Sequence, residues 1–204
     1  MDTYEVKIEE EDGNLQIRQT WDEENNTMIN FGECKNTGDL VPDDFKQFMT
    51  EWEIHGLAAN KTFVALEKVA TDNGVDTMKI QAHAPWPLQN RVFFTTLYLE
   101  LDQEDGSQLM TFCDDGNDSI RADENAFTAK ERKDLTLAHI YLSGFWAQPV
   151  KDESGAVVSS RILYCNMMEV GGNVPTFVQS SKGPKTALNA VKGAIAWANE
   201  NKQR

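Results

Sequence analysis

The segment His-Ala-Pro-Trp-Pro-Leu-Gln-Asn-Arg, residues 83–91, connects two stretches with different strand patterns. Before it, from Thr77 to Ala84, apolar and polar residues alternate with the period of two that is typical of a strand with one apolar and one solvated face. After it, from Arg91 to Leu101, large apolar residues occupy both faces, which is typical of a central strand. Because Pro85 and Pro87 fix the local backbone, the segment is predicted to form a turn between these strands.

The residues nearer the N-terminus predict a hairpin and then one helix. Leu15–Trp21 and Thr27–Lys35 flank a short polar stretch and have strand character. Pro42 then begins a helix that is predicted to end near Gly56. Its apolar residues recur at i, i+3, i+4 and i+7 and are Phe45, Phe48, Met49 and Trp52.

The residues after the turn predict further strands. Leu109–Cys113 and Leu135–Trp146 have strand character, and Val157–Met168 completes a final hairpin. The long charged stretch Asp114–Asp134 is predicted to be a surface loop.

A closing helix is predicted from Val174 to the C-terminus, because its apolar residues keep helical spacing. Gly183 and Pro184 are expected to kink or interrupt it. Since antiparallel strands precede this helix and no internal repeat is present, the chain is predicted to be α+β, with residues 1–204 forming a single domain.

Charge and the N-terminal sequence restrict the partners and the location. The 19 Lys and Arg residues against 33 Asp and Glu residues give a formal net charge of -14, which repels nucleic acid. The first dozen residues are acidic and lack the apolar run of a signal peptide, and no later stretch is long enough to span a bilayer. A cytoplasmic protein is therefore expected.

Metal and cofactor sites are not indicated by the polar residues. Cys34, Cys113 and Cys165 lie far apart and are expected to be reduced thiols. The three histidines lack the paired spacing of zinc ligands, and the acidic stretch after Cys113 lacks the spacing of a calcium loop. Neither a metal nor a cofactor is expected.

Three features resemble the START family of lipid-transfer domains. Residues 83–91 resemble the Pro-x-Pro-(x)n-Arg-Asp turn of that family. Residues 171–178, Gly-Gly-Asn-Val-Pro-Thr-Phe-Val, are similar to the Gly-x-(Ile/Met)-Pro-x-(Trp/Leu)-(Leu/Val) start of its C-terminal helix, and Trp52 resembles the tryptophan after its early helix. The chain departs from the family at Val92, where Asp is usual, and at Leu97, where some sterol-binding members have a buried arginine.

The resemblance implies a helix-grip fold, in which a curved antiparallel sheet wraps around a long C-terminal helix and leaves a hydrophobic cavity. It further implies that the loop Trp86–Asn90 acts with this helix as a lid, that one lipid is carried non-covalently, and that no catalysis takes place. The departure at Leu97 argues against a sterol-specific assignment and leaves the lipid class open between phospholipid and sterol.

The candidate binding residues are apolar positions whose faces can converge between the sheet and the last helix. Each is also a plausible dry core residue, so only the set indicates a cavity. They are Met78, Ile80, Ala82, Phe93, Leu97, Leu188, Val191 and Ile195.

Four polar or aromatic residues complete the candidate site. Arg91 is expected to contact a ligand phosphate or, preferably, to pair with a carboxylate and hold the turn. Trp86 is expected at the cavity mouth or on a membrane-touching tip, or else as a packed loop anchor. His139 and Tyr141 share a strand face and are expected to hydrogen-bond to a head group or to lie at the surface.

Three functions remain open at this point. The first is a monomeric lipid-binding or lipid-transfer module that contacts membranes transiently. The second is a helix-grip enzyme resembling polyketide cyclases, in which His139, Tyr141 or His83 acts on a nonpolar substrate. The third is a ligand-free interaction domain whose acidic surface recruits a basic partner.

Overall fold

The computed structural model of the chain describes residues 4–72, 75–84, 88–114, 129–172 and 174–202. The strands are β1 Glu5–Glu10, β2 Leu15–Asp22, β3 Thr27–Cys34, β4 Phe63–Asp72, β5 Val75–Ala82, β6 Asn90–Glu100, β7 Gln108–Cys113, β8 Leu135–Leu137, β9 His139–Lys151 and β10 Val157–Glu169. The helices are α1 Lys46–Thr50, α2 Trp52–Ala59, α3 Ala129–Asp134 and α4 Thr176–Asn201.

The strands of the described residues form one curved ten-stranded sheet in the order β1-β2-β3-β10-β9-β7-β6-β5-β4. These neighbours pair antiparallel, and the short β8 pairs parallel with β6. Helix α4 packs on β2, β3 and β10, and α2 packs on α4 and β4. The predicted α+β, helix-grip fold is confirmed, including the central position of β6.

The helix predicted between Pro42 and Gly56 is divided. Pro42–Phe45 is a 3-10 turn, and α1 and α2 are separated at Glu51, whose backbone leaves the helical region at φ -111° and ψ 36°. The break accompanies packing of Trp52 against Phe112 of β7, with ring centroids 5.3 Å apart. The prediction of a single helix was wrong because tertiary packing outweighs local periodicity in so short a segment.

Helix α4 runs without interruption through Pro184, although a kink or break was expected. Its close packing on the sheet offers a physical reason: a Cβ atom built on Gly183 would lie 2.6 Å from Asn30 Oδ1. The missing side chain lets the helix backbone approach β3 directly, so packing compensates for the N–H that proline lacks. In the part of the chain that the structure describes, no helix is both long and apolar enough to cross a membrane.

The outer face of β5, predicted to be solvated, is partly buried. Lys79 is 6% exposed, and its Nζ lies 2.7 Å from Glu131 Oε1 of α3. Gln81 donates to the same carboxylate oxygen at 3.0 Å. Because α3 packs on this face, β5 is covered on both of its faces, although its sequence alternates between apolar and polar residues.

Candidate ligand pocket

A pocket of about 210 Å³ lies between the inner face of the sheet and the N-terminal half of α4. One side is an aromatic wall that consists of Phe48, Trp52, Phe63, Phe93, Phe112 and Phe145. Trp52 stands edge-on to Phe63 at 5.8 Å and lies 5.3 Å from Phe112, between ring centroids. Because these rings pack on one another, the wall is a rigid apolar surface and not an open cage.

A row of polar side chains adjoins this wall on the inner face of the sheet. Gln19, Asn30, Asn166 and Ser143 are successive register partners on β2, β3, β10 and β9, and we call them the polar row. Gln19 Nε2 donates to Asn30 Oδ1 at 2.9 Å, and Asn166 Nδ2 donates to Ser143 Oγ at 3.4 Å. The last three line the pocket, and Gln19 is buried behind Asn30.

Helix α4 covers the pocket with a mixed face, on which Val178 and Ala190 accompany three polar side chains. Gln179, Lys182, Gly183 and Thr186 line it at the spacing i, i+3, i+4 and i+7. Further along, Ala187, Ala194 and Ala198 are buried in the dry core. The polar residues of this helix that line the pocket are therefore confined to its N-terminal half.

Arg91 joins the start of β6 to the segment that leads into α4. Its Nε donates to Val170 O at 2.7 Å, its Nη2 to Gly171 O at 3.3 Å and its Nη1 to Gln89 O. Burial lowers the pKa of its guanidinium. The preferred carboxylate partner is replaced, among the described residues, by backbone carbonyls, because the chain turns at Val170 with its carbonyl oxygens directed at β6.

The pocket lining contains no Asp or Glu among the described residues, although the chain has 33. Its charged members are Arg91, which bonds to carbonyls, and Lys182, which is exposed on α4. The interior therefore does not provide the carboxylate that a buried cationic group requires.

The structure brings four of the predicted site residues to the pocket: Ile80, Ala82, Arg91 and Phe93 line it. Met78, Leu97 and Val191 are buried in the core away from the lining, and Leu188 and Ile195 are half-buried against that core. Trp86 lies outside the described residues. The lining from α4 begins at Val178, nearly three turns before Leu188, the first predicted position on this helix.

His139 and Tyr141 lie outside the pocket lining. His139 Nδ1 lies 3.1 Å from Asp114 Oδ2, and the Tyr141 hydroxyl donates to Glu169 Oε2 at 3.2 Å. The cause is a β-bulge, since Met167 pairs with Leu142 and the next residue, Met168, pairs with Ile140. The bulge turns Ile140 inward in place of Tyr141. Of the three residues considered for catalysis, His83 alone lines the pocket.

Sequence reasoning missed the polar row. The signal within each strand is weak, since Asn30 and Asn166 are each flanked in the sequence by apolar residues. The row becomes apparent only when register places the four residues side by side. No group of three or more His, Cys, Asp and Glu residues suited to a metal occurs in the described ranges.

We expect Tyr164, beside the polar row, to reduce stability at alkaline pH. Burial raises the pKa of its hydroxyl from 10.0 to about 12, and hydrogen bonds to Ser143 and Asn166 oppose this rise with a smaller lowering effect. A hydroxyl whose pKa is raised in the folded state contributes stability that is fully present below the unfolded-state pKa. This stability is lost as the pH rises through the folded-state pKa. The free energy of unfolding should thus fall by a few kcal/mol at most, up to about 3 kcal/mol, between about pH 10 and 12.

Urea unfolding across that range measures the effect, and Tyr164→Phe is the comparison. The variant lacks the titrating hydroxyl, so its stability should decrease less steeply with pH. Identical slopes for both proteins would contradict the assignment to Tyr164.

No family model matches the sequence, and no curated protein matches it. Among solved structures, human STARD10 gives a TM-score of 0.74 at 12% identity, over 97% of this chain and 73% of that chain. Human StAR-related lipid transfer protein 5 gives 0.73 at 10% identity, over 98% and 88%. A fragment of the STAR-related lipid transfer protein from Xanthomonas axonopodis gives 0.69 at 15% identity, over 97% and 99%. The likeness shows that the predicted START resemblance holds at the level of the fold.

Proposed function

We propose that this chain, which has the fold of START lipid-transfer domains, binds a lipid or another hydrophobic ligand non-covalently and transfers it between membranes. The observation that carries the proposal is the pocket between the aromatic wall and α4. Helix α4 and the loop Trp86–Asn90 are proposed to close over the ligand. Two of the matching solved structures, the human and the Xanthomonas axonopodis StAR-related proteins, are named as lipid-transfer proteins, which supports the same class of function.

Apolar burial supplies the affinity. A ligand that buries about 300 Å² of apolar surface gains about 7.5 kcal/mol at 25 cal/mol per Å², before the entropic cost of association. Such a gain needs no charged group in the pocket. The Phe side chains and Trp52 of the aromatic wall provide the apolar surface for this contact.

Release requires local opening, and the N-terminal part of α4 is the proposed moving element. Pro184 has no N–H to donate, so the helix has one fewer internal hydrogen bond at that point. Among the described residues, most of the α4 residues that line the pocket precede Pro184, whereas Ala187, Ala194 and Ala198 after it are buried in the core. Opening at this position would expose the ligand without unfolding the core.

Binding without turnover is the proposed activity, because the described lining brings His83 to the pocket without His139 or Tyr141. We further propose that the 204-residue chain is one cytoplasmic, monomeric domain and that it contacts membranes transiently. The acidic net charge favours brief contact over stable adsorption to anionic lipid.

Filling the pocket should abolish ligand uptake. Thr186 lines the pocket from α4 and is half-buried, so Thr186→Trp places an indole in the ligand space. We expect at least a tenfold loss of lipid uptake from liposomes, measured by mass spectrometry of an organic extract of the re-isolated protein. The matched control is Asn189→Trp, on the exposed face of the same helix, which should bind normally.

The wild-type protein should carry about one lipid per chain in this assay. A protein that purifies without lipid and also takes none from liposomes would refute the proposal. Equal uptake by wild-type protein and folded Thr186→Trp would instead refute the assignment to this pocket.

A further inference from the structure

The polar row is buried and retains hydrogen-bonding capacity. Asn30 and Asn166 are 4% and 6% exposed. Gln19 bonds to the Oδ1 of Asn30, which leaves the two N–H donors of Asn30 for another partner. Asn166 donates to Ser143, and both side chains also hydrogen-bond to the hydroxyl of Tyr164, which lines the pocket. Burying such groups destabilises a fold unless they are paired, so their position in the pocket indicates a partner.

The hydrogen-bonding atoms of the polar row define the chemical groups that this partner must carry. Asn30 and Asn166 are directly opposite each other on β3 and β10, so the N–H donors of Asn30 stand beside the oxygen atoms of Asn166, Ser143 and Tyr164. A hydroxyl or an amide both accepts and donates, and it satisfies the two together. Helix α4 covers this position at Gly183, where the absent Cβ allows contact with Asn30.

Charged polar ends fit this position poorly. An ammonium group has no carboxylate in the described lining, and the aromatic wall is packed edge to face instead of forming an open cage. A phosphate or carboxylate would need a cation aimed at the polar row. Arg91 bonds to backbone carbonyls, and Lys182 lies exposed on α4. Burial of a charge without a partner is unfavourable.

We propose that the ligand is an amphiphile with an uncharged hydroxyl or amide at its polar end, and that the polar row binds this group. The apolar body then lies against the aromatic wall. This inference rests on the proposed function and specifies the ligand class for the same pocket.

A competition among lipids tests the ligand class. The full chain is incubated with vesicles that contain equal amounts of phosphatidylcholine, phosphatidylserine, palmitate, diacylglycerol, ceramide and a sterol. The bound lipid is then extracted and quantified by mass spectrometry. We expect at least tenfold enrichment of one or more of the last three over the first three. Enrichment of a choline lipid, a serine lipid or the fatty acid would overturn the inference while leaving lipid binding intact.

Variants test the role of the row. Asn166→Leu should lower the enrichment to less than about threefold while the protein still takes up lipid, because the aromatic wall is unchanged. Ser143→Ala is a milder change that provides the same test if Asn166→Leu does not fold. Asn189→Leu, on the exposed face of α4, should keep the wild-type enrichment.

The outcomes separate the two proposals. Unchanged enrichment in a folded Asn166→Leu or Ser143→Ala protein would overturn the role of the polar row. Failure of the wild-type chain to capture any of the six lipids would remove the lipid-binding function, and this inference with it.

Discussion

Phe48→Ala is expected to lower the free energy of unfolding by about 3–5 kcal/mol, the range for truncation of a buried aromatic residue. Phe48 is 1% exposed and belongs to α1. Its ring lies 5.5 Å from Trp52, 6.0 Å from Phe145 of β9 and 5.5 Å from Trp197 of α4, between centroids. The substitution therefore removes a contact shared by three parts of the fold, and rigid neighbours prevent collapse of the cavity.

Urea unfolding followed by circular dichroism measures this loss. Phe31→Ala is the matched control, because Phe31 is half-buried on β3 and its ring lies 6.5 Å from that of Tyr4. We expect the control to lose less than about 1.5 kcal/mol. Similar losses in the two variants would show that Phe48 is not a central contact.

Gly193→Ala is expected to destabilise the protein by about 3 kcal/mol, although alanine ordinarily stabilises a helix by about 1 kcal/mol relative to glycine. A Cβ atom built on Gly193 would lie 2.1 Å from Ala59 O and 2.9 Å from Ala59 C. These atoms are backbone at the end of α2 and cannot move away by a rotamer change. One of the two helices must therefore shift.

Alanine is expected to have opposite effects on stability at Gly193 and at an exposed position of the same helix. Asn189→Ala, at an exposed position of the same helix, should raise stability slightly through helix propensity. Thermal and urea unfolding of both variants measure the difference. A Gly193→Ala protein as stable as the wild type would contradict the close packing of α4 on α2.

Local sequence patterns predicted the strands and the closing helix well, because each has a periodicity that its own residues define. β6 is an example, since large apolar residues on both faces predicted a central strand. The division of the early helix at Glu51 was not predictable, because it accompanies contacts between residues distant in sequence. The cover that α3 gives to Lys79 was missed for the same reason.

The site was predictable only in part, because a pocket depends on register and on how far each element reaches. Ile80, Ala82 and Phe93 line the pocket as alternation on β5 and β6 suggested. Leu188 and Ile195 fit the apolar stripe of α4, yet the pocket lies mainly over the earlier turns of the helix, whose facing residues include Gln179, Lys182 and Thr186. Spacing along a helix indicates which residues are covered and not whether they face protein or a cavity.

The bulge at Tyr141 has an evolutionary consequence. In an unbulged β9, Tyr141 would follow Phe145 and Ser143 onto the inner face of the sheet, and Ile140 would turn outward. Insertion or deletion of one residue could therefore exchange an aliphatic lining group for a phenol without any substitution. Relatives of this protein could diverge in ligand preference through strand length as readily as through point mutation.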